Sequence, residues 1–215
     1  MTVAADSPAL VPDPKYTRLA GDDQIERATK CLQQCGFEVL VVSSVDEARR
    51  EVLARVPAGS EVFDATSRTL EETGIVQALS QAPGITMLRP KFLALDRKTQ
   101  GKQMRQISQS PDVIVGSVHA VTEDGQILVG SATGSQLGPY SSGAGRVIWI
   151  VGTQKIVPTL EEGLARLERY ALPREDERAL KAYGIHSFLS KILIIRREFV
   201  PGRCTLILVK QQLGF

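Results

Sequence analysis

The sequence has few of the residues that build metal centres and disulfide frameworks. Its 215 residues include three cysteines and two histidines, and Cys31, Cys35 and Cys204 form no Cys-x-x-Cys pair. We therefore predict no zinc or iron–sulfur site, and we expect no resident cofactor. Sparse, unpaired cysteines are typical of a reducing compartment, so we expect a cytoplasmic protein.

Long apolar runs and a strong net charge are missing as well. The longest apolar runs, such as Val39 to Val42, are far shorter than the roughly 20 residues of a membrane-spanning helix, so we predict no membrane partner. The formal net charge of +2 is too small to imply a nucleic-acid partner. One basic segment, Arg89 to Arg105, is interpreted as the solvated face of a helix, with steering of an anionic metabolite as the alternative.

The first 14 residues are small, proline-bearing and acidic, unlike a secretory signal or a transit peptide. We predict that residues 1–14 are a flexible tail. Residues 15–215 are within the size that one α/β core accommodates, which predicts a single domain.

The sequence does contain a repeated alternation of β-branched runs with amphipathic helical stretches. This pattern predicts an α/β fold with a layered, mostly parallel sheet flanked by helices. Gly36 ends a predicted helix over Asp22 to Gln34. The buried strands predicted from apolar runs are Phe37 to Val42, Glu61 to Ala65 and Arg146 to Gly152.

Two capping boxes mark the start of further helices. Ser44 with Glu47 opens a helix that is predicted to stop at Pro57. Thr159 with Glu162 opens another that is predicted to run to about Tyr170, before Pro173.

Two segments break the alternation and are predicted to be antiparallel hairpins inserted in or added to the sheet. The first runs from His119 to Val129 around Glu123-Asp124-Gly125, a tight-turn signal. The second runs from Ile192 to Val209 around Pro201-Gly202. Because hairpin edges are exposed, we expect that the chain could form a homodimer.

The segment Thr66 to Gly74 is the first candidate site, because it follows a predicted strand and begins a helix. Free amide groups at such a helix start, with the hydroxyls of Ser67 and Thr69, suit a carboxylate or a phosphate. The alternative is that Thr69 and Glu72 form only a capping box. The residues alone leave both readings open.

Three further segments could contribute to a site. The loop Ser131 to Ser135 is small, hydroxyl-rich and glycine-spaced, so it either admits a ligand close to the backbone or is a plain flexible loop. Lys155 follows a buried strand and either pairs with an anion or lies on the surface. Glu123 is a candidate general base or nucleophile if burial raises its pKa, although exposed turn carboxylates are commoner.

The two histidines attract less interest at this stage. His119 and His186 lie in no ligand pattern, and such histidines are more often packed or solvent-facing.

From about Lys15 onward the chain resembles the LUD (lactate-utilisation) domain family. The residues that carry the resemblance are Ser67 to Gly74, Glu123 to Gly125 with Thr133-Gly134-Ser135, Gln154 to Gly163, and Gly202 to Phe215. Gln154 departs from the family pattern, in which asparagine is expected before the lysine, but the change keeps an amide. The resemblance implies a fold similar to that of ribose-5-phosphate isomerase, glucosamine-6-phosphate deaminase and CoA transferases.

The resemblance also implies a role and a set of site residues. The role is similar to that of the small lactate-utilisation subunit, which acts with iron–sulfur partner proteins in oxidising lactate to pyruvate. Glu123 aligns loosely with the acidic position that CoA transferases use. The two sides of the implied cleft are Ser67, Thr69, Glu72 and Gly74, and opposite them Thr133, Gly134, Ser135 and Lys155.

Three hypotheses follow for function. The leading one is a non-redox accessory or binding subunit for a small anionic metabolite, a 2-hydroxy or 2-oxo carboxylate such as lactate, working with iron–sulfur partner subunits. The second is a free-standing enzyme that acts on a phosphosugar or an acyl-CoA through Glu123 and the Ser67 loop. The third is a structural oligomer with a vestigial pocket.

Overall fold

The computed structural model describes residues 10–215, so residues 1–9 of the predicted tail lie outside the described residues. Just before the first helical turn, the Asp13 amide donates to the carbonyl of Arg169 at 2.8 Å. The strands are β1 (Glu38–Val42), β2 (Glu61–Asp64), β3 (Thr86–Met87), β4 (Val113–Gly116), β5 (Ala120–Thr122), β6 (Ile127–Ser131), β7 (Arg146–Gly152), β8 (Ile156–Val157), β9 (Lys191–Ile195) and β10 (Cys204–Val209).

Helices alternate with these strands along much of the chain. The α-helices are α1 (Asp22–Gln34), α2 (Val45–Arg55), α3 (Arg68–Thr73), α4 (Ile75–Gln81), α5 (Arg89–Leu93), α6 (Gly101–Gln109), α7 (Leu160–Arg166) and α8 (Leu172–Tyr183). Short 3₁₀ turns cover Pro14–Thr17 and Thr153–Lys155, and π-helical turns cover Pro139–Gly143 and Leu167–Ala171.

Two sheets organise the fold. The larger has six strands in the order β1-β10-β7-β4-β2-β3, and all its neighbours run parallel. The smaller has the order β8-β5-β6-β9, with antiparallel pairing of β6 to both of its neighbours. The α/β prediction is therefore confirmed, and so is the first hairpin, because β5 pairs with β6 across the Glu123-Asp124-Gly125 turn.

Apolar side chains pack on both faces of the large sheet. On one face, Trp149 of β7 and Leu206 of β10 share a buried cluster with Val129 of the smaller sheet. On the other face, Val52 of α2 and Leu79 of α4 cover a second cluster. The central strands are thus buried on both sides, as parallel strands usually are.

Several local predictions are confirmed. Helix α1 spans Asp22–Gln34 because Ile25, Ala28 and Leu32 form a buried stripe. Gly36 follows it with φ of 89°, a conformation that glycine adopts without strain. The Ser44 side chain accepts the amide of Glu47 and so caps α2.

The prediction that Phe37 to Val42 is a buried strand is wrong in one respect. Strand β1 lies at the edge of the six-stranded sheet, and Val41 is 41% exposed. An apolar run does not distinguish a central from an edge position, because that depends on which strand pairs beside it.

The predicted second hairpin is also wrong. Strand β9 pairs antiparallel with β6 in the smaller sheet, whereas β10 lies between β1 and β7 in the larger one and is parallel to both. The turn around Pro201-Gly202 therefore carries the chain from one sheet to the other. Turn chemistry fixes the local bend but not the partners of the strands that flank it.

The helix that begins at Thr159 does not end at Tyr170. It passes through the π-turn Leu167–Ala171 into α8, which reaches Tyr183. Pro173 lies inside this continuous helix and has no amide to donate, and the carbonyl of Arg169, four residues earlier, accepts the amide of Asp13 at 2.8 Å.

Candidate functional site

A cavity of about 440 Å³ opens where β2, β4 and β7 end. Parallel sheets offer ligand sites at the carboxyl ends of their strands, since the connecting loops meet there. Many of the polar residues on its wall come from these strand ends, from the loop after β6 and from the segment after α8, and others come from α3, from α8 and from Arg97. They include Ser67, Thr69, Ser117, His119, Thr133, Ser135, Lys155 and His186.

Lys155 is the most deeply placed cation on this wall, with 1% of its surface exposed. Its Nζ lies 3.1 Å from each of three oxygens, the hydroxyls of Thr69 and Ser117 and the carbonyl of Val118. Both hydroxyls donate elsewhere, Thr69 to the carbonyl of Leu213 and Ser117 to that of Ile150. All three oxygens thus accept from the lysine, which is the pattern that an ammonium group requires.

Burial acts against this charge. It lowers the pKa of Lys155 well below the ordinary value of 10.5, and the positive charge of Arg166 lowers it further, while Glu72 opposes both. Among the described residues, the polar contacts of Nζ are neutral oxygens and include no carboxylate. A bound anion would supply the missing counter-charge.

Arg166 forms a second buried cation behind the cavity wall. It has no exposed surface, and its Nη1 donates to the carbonyl of His119. Its Nε and Nη2 are buried without a hydrogen-bond partner, and its guanidinium lies 5.1 Å from the centre of the Tyr170 ring. Burial lowers the pKa of Arg166 to about 10, so it remains charged at neutral pH.

His119 lies near both of these cations, and its ring is neutral. Its Nδ1 accepts the amide of Gly130 at 3.1 Å. Burial lowers its pKa to about 3, and the charges of Lys155 and Arg166 act in the same direction. The single ring proton must therefore be on Nε2, which makes His119 a neutral hydrogen-bond donor.

His186 and Asp176 form a buried pair at the same cavity. The His186 Nδ1 lies 3.0 and 2.9 Å from the two carboxylate oxygens of Asp176, and the amide of Ser187 donates to that carboxylate at 2.7 Å. The two side chains are 8% and 3% exposed. The His186 ring is part of the cavity wall, and its Nε2 has no hydrogen-bond partner.

The structure brings five of the predicted site residues to this cavity, namely Ser67, Thr69, Thr133, Ser135 and Lys155. Ser67 is the N-cap of α3, but its side chain makes no capping hydrogen bond. Thr69 lies inside the first turn of α3, so the alternative of a Thr69–Glu72 capping box is wrong. Its hydroxyl contacts Lys155 instead.

Three predicted residues lie close by without lining the cavity. The carboxylate of Glu72 accepts the amide of Gly214 at 2.7 Å and pairs with Arg68. Gly74 ends α3 with φ of 64°. Gly134, with φ of 83°, donates its amide to the Ser131 hydroxyl within the loop.

Glu123 lies away from the cavity wall. Its carboxylate accepts from Gln24 at 2.8 Å and from Arg27 at 2.7 Å, which ties the first hairpin to α1. Partial burial raises its pKa, but these hydrogen bonds outweigh it and bring the pKa below the usual value. A carboxylate held ionised in an ion pair does not suit a general base, so this geometry does not favour the predicted catalytic role of Glu123.

Sequence reasoning overlooked Ser117 and Asp176 and gave little weight to His119 and His186. Ser117 and His119 follow β4 as Ser67 follows β2, so the rule of strand ends would have found them had β4 been assigned. Asp176 and His186 are brought together by the turn after α8 and leave no local sequence signal.

In the basic segment Arg89 to Arg105, Arg89 pairs with Asp64 at 3.1 Å, while Arg97 reaches the cavity wall.

Two general features of residues 10–215 bear on the kind of site. None of the helices in this part of the chain has both the length and the apolar character needed to cross a membrane. In the same residues, no three His, Cys, Asp or Glu side chains group so that they could hold a metal ion.

The sequence profile of the LUD domain family matches residues 25–209, which is most of the chain. The chain belongs to the LUD domain family. The crystal structure of a DUF162 family protein from Deinococcus radiodurans is similar to this LUD domain, with a TM-score of 0.50 and 14% sequence identity. The match covers 89% of this chain and 99% of that chain.

This likeness concerns the fold alone, since the identity is low. The six-stranded sheet of this LUD domain and the helices around it thus have an architecture that is known from a crystal structure. No match was found among curated proteins.

Proposed function

We propose that the cavity of this LUD domain binds a small 2-hydroxy or 2-oxo carboxylate of the lactate and pyruvate class. The observation that carries the proposal is Lys155, a buried lysine on the cavity wall whose Nζ contacts are neutral oxygens. An anion at this position would replace lost hydration with a direct ionic contact.

The neighbouring groups suit the rest of such a ligand. His119 offers a neutral N–H donor beside Lys155, and Ser67, Thr133 and Ser135 add hydroxyls to the same cavity. A carboxylate and a 2-hydroxyl or 2-oxo oxygen together need several donors within one small volume, which these residues supply.

We further propose that the protein is an accessory subunit that works with iron–sulfur partners in oxidising lactate, as the resemblance to the small lactate-utilisation subunit implies. A homodimer is part of this proposal, because β9 is an edge strand on which Ile192 and Ile194 are 40% and 38% exposed. Affinity purification of the tagged chain from its native cells tests the partnership. Iron–sulfur proteins in the eluate support it, and their absence contradicts it.

Calorimetric titration of the protein with pyruvate and with lactate tests the binding site. We expect Lys155→Met to weaken binding by at least about 10-fold, because a charge-assisted contact is lost. Lys181→Met, at an exposed lysine that pairs with Glu177 on α8, is the matched control and should bind as the unsubstituted protein does. Equal affinity in all three proteins would place the ligand elsewhere, and no binding at all would contradict the proposal.

A second candidate is a larger anion, such as a phosphosugar or an acyl-CoA. The cavity volume of about 440 Å³ favours it, since this falls within the range of pockets that hold drug-sized ligands. Thermal-shift measurements with ribose 5-phosphate, acetyl-CoA and pyruvate distinguish the candidates. A ligand at 100 times its Kd should add about 2.7 kcal/mol to the free energy of unfolding, and no shift with any of them would favour a vestigial pocket.

A further inference from the structure

The anion-binding groups account for only part of the cavity wall. On that part the Lys155 Nζ lies 3.1 Å from the hydroxyls of Thr69 and Ser117. Apolar side chains line much of the rest, and they come from the π-turn before α8, from α8, and from the segments before β9 and after β10. They are Leu167, Ala171, Leu172, Phe188, Leu189 and Phe215. A ligand as small as pyruvate would leave most of this apolar wall uncovered.

Gly130 places two of these leucines beside the histidine of the site. The Gly130 amide donates to the Nδ1 of His119 at 3.1 Å. A Cβ on Gly130 would lie 2.6 Å from the Cδ1 of Leu189 and 2.7 Å from the Cδ2 of Leu167. Both leucine side chains therefore pack against the residue whose amide holds the His119 ring, and all four residues line the same cavity.

Lys155 adjoins the same histidine. Its Nζ lies 3.1 Å from the carbonyl of Val118, the residue directly before His119. The positive charge of Lys155 also helps to lower the pKa of His119, which indicates that the two groups are near each other. The cation and the two leucines are thus neighbours of one residue on the cavity wall.

Phe215 borders the cavity on the side of Thr69. A Cβ on Gly214, the residue before Phe215, would overlap the Thr69 hydroxyl, so the backbone there touches the threonine. The side chains of Phe215 and Leu189 pack against the buried cluster that includes Leu167. These three apolar side chains therefore form one group that adjoins the polar contacts of the site.

The charged side chains that α3 and α8 add to the wall are paired with each other. Arg68 pairs with Glu71 at 3.0 Å, and Arg178 pairs with Glu175 at 2.7 Å. Arg97 also reaches the wall, but it is exposed to solvent, which screens its charge. This part of the cavity therefore does not favour a second anionic group on the ligand.

We propose that the cavity selects a 2-oxo or 2-hydroxy acid whose apolar side chain is larger than the methyl group of pyruvate. This inference rests on the proposed function, because it takes Lys155 as the partner of the carboxylate. Leu167, Leu189 and Phe215 determine the specificity, since they remove the ligand side chain from water. The volume of about 440 Å³ accommodates such an acid, whereas pyruvate fills only a small part of it.

Calorimetric titration of the full chain with pyruvate and with 4-methyl-2-oxopentanoate tests the proposal. We expect 4-methyl-2-oxopentanoate to bind at least about 10-fold more tightly, because its isobutyl group is buried against the apolar wall. Two control ligands separate the contributions. The first, 2-oxoglutarate, has a similar length but ends in a second carboxylate, and it should bind no more tightly than pyruvate. The second, 4-methyl-2-pentanone, has the isobutyl group without the carboxylate, and it should bind at least about 10-fold more weakly than the acid.

Leu189→Ala tests the apolar contact, since the shorter side chain no longer reaches the isobutyl group. It should weaken binding of 4-methyl-2-oxopentanoate by at least about 5-fold and binding of pyruvate by less than about 2-fold. Leu93→Ala, at a leucine that is 67% exposed on α5, is the matched control and should bind both acids as the unsubstituted protein does. The ratio of the two Kd values within one protein is the reading, because a general loss of packing would weaken both acids alike.

Phe215→Ala provides a second variant in case Leu189→Ala is unstable, since Phe215 is only partly buried. It should lower the same ratio by at least about 3-fold. Equal weakening of both acids, or an unchanged ratio in both variants, would overturn the assignment of these residues.

The ligand series distinguishes failure of this inference from failure of the proposed function. Equal affinity for pyruvate and 4-methyl-2-oxopentanoate would overturn this inference alone, and so would tighter binding of 2-oxoglutarate than of 4-methyl-2-oxopentanoate. Binding of the neutral ketone as tightly as the acid would contradict both, because the carboxylate would then contribute nothing. Absence of binding by every 2-oxo acid would contradict the proposed function as well.

Discussion

His119 stays neutral because its ring is buried beside two cations, and this sets a pH dependence of stability. Its folded pKa of about 3 lies below its ordinary value of 6.5. Between these values the unfolded chain binds a proton that the folded chain does not. The free energy of unfolding therefore falls as pH drops below 6.5, by at most about 1.4 kcal/mol per pH unit.

Urea unfolding at pH 7 and pH 5 checks this expectation, with His119→Asn as the reference. Asparagine can accept the Gly130 amide as Nδ1 does, but it does not titrate. The unsubstituted protein should lose about 1–2 kcal/mol more than the variant between the two pH values. Identical losses in the two proteins would show that His119 titrates normally in the folded state.

The residues of the site were predictable to unequal degrees. Thr69 and Lys155 follow strands of a parallel sheet, and the geometry of such sheets brings strand ends together whatever their order. Their mutual contact also depends on burial, which the sequence did not reveal, since a lysine near a strand end is usually on the surface. The Asp176–His186 pair depends on how the chain turns after α8, so no local sequence pattern predicts it.

Among the elements, the short segment of residues 210–215 after β10, here called the strap, contacts Thr69 and Glu72 of α3. Gly214 has φ of 56°, and its amide donates to Glu72. A Cβ at this residue would overlap the Thr69 hydroxyl and lie 2.8 Å from the Thr69 amide nitrogen. The strap thus fixes the threonine that contacts Lys155.

Gly214→Ala should lower the free energy of unfolding by about 2–4 kcal/mol, because left-handed strain and overpacking add together. Gly202→Ala is a matched control, since Gly202 also has positive φ but an added Cβ meets nothing within 4 Å. Its loss should be about 1–2 kcal/mol, the backbone cost alone. Chemical denaturation of both variants measures the difference, and equal losses would mean that the strap moves aside freely.

The two errors in strand assignment share one cause. The turn at Pro201-Gly202 was recognised, but strand partners were inferred from adjacency in sequence, and β9 and β10 belong to different sheets. Likewise, the apolar run of β1 predicted a strand correctly while its edge position depended on β10. Pairing is a long-range property, so local periodicity cannot supply it.

For the molecule as a whole, the predicted single domain can be tested through the one tryptophan. Trp149 is fully buried on β7 and packs edge-on against Tyr140 at 5.4 Å between ring centres. Its apolar cluster includes Ile127 and Val129 of the smaller sheet. Because the sheets share this core, we expect them to unfold together.

Urea unfolding followed by tryptophan fluorescence and by far-ultraviolet circular dichroism should give coincident transitions. Ile127→Val, a change in the smaller sheet, should lower the free energy of unfolding by about 1 kcal/mol with both probes. If the urea midpoint shifted with only one of the two probes, the two sheets would belong to separate domains.

The position of β10 has a consequence for how the chain is made. A ribosome makes β1 early, but its neighbour in the sheet, β10, follows more than 160 residues later, as Glu38 pairs with Thr205. Until β10 has been made, β1 has no partner in the sheet and one edge of β7 is unpaired. The six-stranded sheet therefore cannot be completed during most of synthesis. Such late, non-local pairing slows folding and exposes strand edges to other chains. Newly made protein should therefore depend on chaperones more than the finished fold does.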